Sequence, residues 1–85
     1  DQNSLRDHDY RMIHAFYRNA IEKRTGEPLS SELNFLLEMY CRGSIYMTTR
    51  WVSGEISCTP EELAERLVDA MPAALADTFR QLGLV

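Results

Sequence analysis

The densest group of potential metal ligands in the chain is Asp7-His8-Asp9. Neighbours on a helix point about 100° apart. The other histidine, His14, stands six residues from His8, whereas a helical two-histidine metal site spaces its imidazoles by four. The triplet therefore reads as a solvated polar helix start, and no metal site is expected. His14 has Tyr10 and Tyr17 on either side, so it either offers a polar tip to a small ligand or sits half-exposed at the border of an apolar stripe. Cys41 and Cys58 are too few for a disulfide framework or a zinc site, and both read as inert thiols, because activation needs a basic, exposed setting. No GxSxG, phosphate-binding loop, GxGxxG or paired-carboxylate pattern occurs. An enzyme is not expected, nor is a cofactor.

Softer chemistry is better represented. Met12, Met39, Met47 and Met71 accompany Tyr10, Tyr17, Tyr40 and Tyr46. Thioethers and phenol rings line adaptable cavities between helices, although they also pack ordinary cores. If a small apolar or aromatic effector binds, it is expected between the first two helices, among Tyr10, His14, Tyr17, Met39, Tyr40 and Met47.

The elements that must carry these residues are helices. The pairs Met12/Ile13, Phe16/Tyr17 and Ala20/Ile21 recur every four residues and share one stripe. Gly26 and Pro28 end this first helix, placed at about residues 5–25. Ser30 or Ser31 caps a second, over about 31–53, with Glu32 in its first turn and Ser53-Gly54 as its stop. Its apolar residues fall in two stripes, Leu33, Leu36, Leu37, Tyr40, Ser44, Met47 and Trp51 on one and Phe35, Met39 and Tyr46 on another. A helix apolar on several sides is buried on several sides. Thr59-Pro60-Glu61-Glu62 is a capping box that opens a third helix over about 60–82. Pro72 falls inside its apolar pattern, so a kink or a split is expected there. The fold class is thus all-α, an antiparallel bundle of three long helices in one domain, residues 1–85.

The chain has 85 residues, 45% of them hydrophobic, and nine basic against thirteen acidic residues for a net charge of −4. That charge argues against gripping a phosphate backbone, which needs clustered Lys and Arg. Apolar runs are only a few residues long, far short of the ~20 that span a bilayer. No membrane partner is expected, and a cytoplasmic location is.

The run from Leu33 to Leu67 resembles the C-terminal domain of TetR-family transcriptional regulators, in the short form similar to the dihydroxyacetone-kinase activators. The matching residues are Tyr40, Gly43, Trp51-Val52, Gly54 and Thr59-Pro60-Glu61-Glu62-Leu63. Cys41-Arg42 departs from it, standing where that pattern is more apolar. The resemblance implies a ligand-sensing and dimerising domain, with DNA contacted through an N-terminal helix-turn-helix domain expected to be absent from this chain. It also implies that the last two long helices pair with their copies as a four-helix bundle. Ile45, Tyr46, Thr49, Leu67, Ala70 and Ala74 are expected near the centre of that homodimer. The competing reading is a stand-alone helical protein–protein interaction module that turns its spare apolar stripe to a different partner.

Overall fold

The computed structural model describes residues 2–84, with side chains described for 4–84. It is all-helical, with no strand among the described residues. The order is α1 (Gln2–Thr25), α2 (Ser31–Val52), α3 (Pro60–Asp69) and α4 (Ala73–Gln81).

Local chemistry explains each boundary. Gly26 takes a left-handed backbone at φ +73°, and its N–H bonds the Glu22 carbonyl at 2.9 Å. The Glu22 carboxylate then accepts the Leu29 N–H at 2.7 Å, closing the turn into α2. That bond holds the Glu22 carboxyl below its ordinary range. Ser30 caps α2 by accepting from the Leu33 N–H at 3.2 Å. At the far end the Trp51 indole donates to the Cys58 carbonyl at 2.8 Å and folds the connecting loop back on the helix. Trp51 itself is half-buried beside the capping turn rather than part of the main core. Thr59 and Glu62 form the reciprocal capping box, at 3.1 and 2.9 Å, with Pro60 opening α3.

The single long third helix is replaced by two short ones. Pro72 has no N–H to give the carbonyl one turn back, and its ring crowds that turn. The helix therefore stops at Asp69 and restarts at Ala73. Two long helices and two short ones result, not three long ones.

α1 and α2 run antiparallel, tied by an Asp7–Arg42 ion pair at 3.0 Å near one end and the Glu22–Leu29 bond at the other. α4 folds back onto α2. Tyr10, Ile21, Leu37, Cys41, Leu75 and Phe79 fill the space between these three helices, with Leu37 and Leu75 fully buried. Tyr17 stacks on Phe79 with ring centroids 5.2 Å apart.

The buried face of α1 is narrower than its sequence suggests. Tyr10, Tyr17 and Ile21 turn inward, whereas Met12 and Phe16 are 60% and 66% exposed. Two neighbouring helices cover one narrow strip of a cylinder, and the doublet pattern is wider than that strip. On α2 the two stripes separate, although Met47 of the first is 38% exposed and the buried Cys41 lies outside both. Leu37 is buried with Leu33, Leu36 and Tyr40 partly so, while Phe35, Met39 and Tyr46 are 62%, 60% and 54% exposed on the opposite side.

Candidate functional site

A helix that places one residue at i places i+4 and i+8 beside it. On α2 this aligns Tyr40, Ser44 and Thr48 along a wall facing α1. Asp9, Met12, Ile13 and Tyr17 form the opposite wall, Cys41, Ile45 and Thr49 the floor, and Leu67 of α3 one end. Between the walls runs an open groove of about 530 Å³. A second hollow of about 260 Å³ lies on the other side of Tyr40, among Met39, Gly43, Met47, Ala70 and Pro72. Tyr40, Ser44 and Leu67 border both.

Tyr40 is the polar link at this shared wall, its hydroxyl donating to the Leu67 carbonyl. That carbonyl belongs to the last turn of α3, whose oxygens lack partners within the helix. The Met71 N–H, which would serve it in a continuing helix, bonds Val68 instead. Tyr40 therefore caps α3 from a neighbouring helix. Burial raises the Tyr40 hydroxyl above its ordinary pKa. The Ser44 hydroxyl beside it acts in the opposite direction without meeting hydrogen-bond geometry, and Ser44 Oγ is buried with no partner. The Cys41 thiol, in the floor, is pushed by burial from 9.0 to about 11, so it is protonated at neutral pH. Cys58 is half-buried in the loop before α3.

The residues expected to share one pocket are divided among three places. Tyr17 and Tyr40 meet in the α1–α2 groove, while Met39, Met47 and Tyr40 line the second hollow. Tyr10 lies in neither. It is buried, with the Arg42 guanidinium 3.8 Å from its ring centroid. Burial raises its hydroxyl pKa and the Glu38 charge adds to the effect, against a smaller lowering by Arg42. His14 shares a 2.8 Å hydrogen bond with Asn34 beside Tyr10, outside the groove. Ser44 and Thr48 were legible as neighbours of Tyr40 at four-residue spacing. Asp9 gave no such signal.

The residues expected at the dimer centre do not share one surface either. Ile45, Thr49 and Leu67 turn into the α1–α2 groove, with Ile45 packed on the core and Thr49 Oγ1 donating to its carbonyl at 2.8 Å. Tyr46, Ala70 and Ala74 are exposed. The continuous outward apolar face of α2 is Phe35, Met39 and Tyr46, with Gly43 at its edge. A Cβ added to Gly43 would meet nothing within 4 Å.

In the Asp7-His8-Asp9 triplet, Asp7 is engaged by Arg42. Among the described residues no three His, Cys, Asp or Glu side chains gather as metal ligands, and no helix is long and apolar enough to cross a membrane.

Residues 1–72 match the family model of a transcriptional regulator C-terminal region of the TetR type, and the chain belongs to that family. No curated protein and no solved structure matches it. The match stops at Pro72, so α4, which supplies Leu75 and Phe79 to the core, lies beyond it.

Proposed function

We propose that this TetR-type C-terminal region senses a small, mostly apolar effector in its α1–α2 groove and pairs with a second copy through the outer face of α2. DNA would be contacted by a helix-turn-helix unit outside these residues, in the cytoplasm. The finer likeness to regulators similar to the dihydroxyacetone-kinase activators rests on Tyr40, Gly43, Trp51 and the Thr59–Leu63 cap. Family membership favours this reading over a stand-alone interaction module.

The observation that carries the proposal is that α2 is apolar on two opposite faces, one walling a groove and the other bare. Sensing and pairing thereby share one rigid element. The groove offers mostly apolar walls with a few hydroxyls, the usual make-up of a small-molecule site. Tyr40 links that wall to α3 through the Leu67 carbonyl. An effector that displaces the Tyr40 hydroxyl from the Leu67 carbonyl frees the end of α3 and shifts the population of α3 positions. A ligand moves such an equilibrium only by binding the two states unequally, and the Tyr40 bond supplies that inequality. The spacing of two DNA-reading units, which must match half-sites about one helical turn apart, would follow.

The test is a thermal-shift screen of small apolar and aromatic compounds against the parent chain, Thr48→Phe and Phe35→Ala. Thr48→Phe narrows the groove and should weaken the stabilisation by every hit. Phe35→Ala, on the opposite face, should leave it intact. Hits that stabilise Thr48→Phe as well as the parent would place the effector outside the groove.

A further inference from the structure

We propose that the α1–α2 groove selects small organic cations with an apolar body, such as aryl-alkyl ammonium ions, and that Asp9 is their charge partner. The proposal rests on the groove being the effector site, and it names the class of effector.

Asp9 is the sole formally charged residue lining the groove, and no Lys, Arg or His lines it among the described residues. The neighbouring cations line other hollows. Arg42 pairs with Asp7, and Arg6 borders separate hollows with Tyr46. Asp9 makes no ion pair or hydrogen bond among the described residues, so its carboxylate is exposed at the lip and free to accept one.

Two of the hydroxyls inside lean the same way. Thr49 Oγ1 gives its proton to the Ile45 carbonyl and the Tyr40 hydroxyl gives its own to the Leu67 carbonyl. Both protons are spent on the backbone, so these oxygens offer lone pairs. These two oxygens suit the N–H donors of an ammonium, whereas the Tyr17, Ser44 and Thr48 hydroxyls can donate or accept, so Asp9 sets the sign of the charge the groove prefers. Met12, Ile13 and the Tyr17 and Tyr40 side chains supply the apolar contact. An anion of the same shape would meet the Asp9 charge.

A matched series with one apolar body separates the terms: phenylpropylammonium, phenylpropanol and phenylpropanoate. Binding to the full chain is followed by calorimetry and by amide shifts in α1 and α2, at near-neutral pH and moderate salt. Asp9 is exposed, so its ion pair is screened and the preference should be modest. The ammonium should bind about two- to five-fold tighter than the alcohol, with the carboxylate weaker by a similar factor again. Asp9→Asn should erase the gap between ammonium and alcohol. An alcohol or carboxylate that binds as well as the ammonium overturns the cation proposal and leaves the effector groove standing, as does an undiminished ammonium preference in Asp9→Asn. If none of the three moves α1 or α2 amides at millimolar concentration, the groove itself is not the site.

Discussion

Tyr40→Phe isolates one hydrogen bond in a setting where its loss has few compensations. The ring stays and keeps its packing between α2 and the two hollows, while the Leu67 carbonyl loses the hydroxyl that caps it. A net intramolecular hydrogen bond contributes about 0.5–1.5 kcal/mol, and a polar group left buried without a partner costs about 1–3 kcal/mol. Both Tyr40 and Leu67 are half-buried, so water can serve part of the orphaned carbonyl. The expected cost is therefore about 1 kcal/mol, which in a domain of this size lowers Tm by about 4–8 °C. Tyr17→Phe is the control, because the Tyr17 hydroxyl makes no hydrogen bond among the described residues, and it should melt within about a degree of the parent. Amide exchange adds a local readout. Protection should fall in α3 and the 70–72 break before it falls in α1. A Tyr40→Phe chain that melts with the parent and keeps its α3 protection would refute the cap, and with it the route from the groove to α3.

Four further outcomes follow from the same geometry. Gly43→Ala, at a helical position with open space, should raise the stability of a lone chain by about 0.5–1 kcal/mol. If a second copy approaches there, the same change weakens the dimer in sedimentation, and opposite signs in the two assays locate the contact. Tyr46→Glu should split that dimer while leaving the exposed outer face folded, and a parent chain that sediments as a stable monomer at micromolar concentration would refute the pairing. Thr59→Ala should cost about 1 kcal/mol through the lost cap of α3, read by chemical denaturation. In alkali, the Cys41 thiol ionises near 9.0 in the unfolded chain and near 11 when folded. Its contribution is whole below the lower value and lost as pH rises through the upper one. Stability should therefore decline across that window, less steeply in Cys41→Val, as measured by denaturant midpoints against pH.

What the sequence disclosed was whatever short-range chemistry decides. Ser30, the Thr59–Glu62 box, the Gly26 turn and the break at Pro72 each act within a few residues of themselves, so their effects could be read without knowing where the rest of the chain lies. The buried face of α1 could not. Met12, Phe16 and Tyr17 belong to one apolar sector by spacing, and which of them is covered depends on where α2 and α4 approach. The lining of the groove was legible only in part, for a related reason. Ser44 and Thr48 follow Tyr40 at four-residue spacing and share its wall, whereas Asp9 is a solvated residue near the helix start that only the approach of α2 makes part of a groove.

The second stripe of α2 is the opposite case, because a pattern with no use inside the folded chain survives folding unchanged. Phe35, Met39 and Tyr46 lie on the far side from Leu37 and Cys41, and α1 and α4 both pack against the near side. Leaving three large apolar side chains in water forfeits roughly 1.5–3 kcal/mol for each one that a partner would bury fully. Gly43, at the edge of that stripe, lowers helix propensity and answers no contact within the chain,. Two features that each cost a monomer stability, on the same side of the same helix, are accounted for together once another helix lies against them.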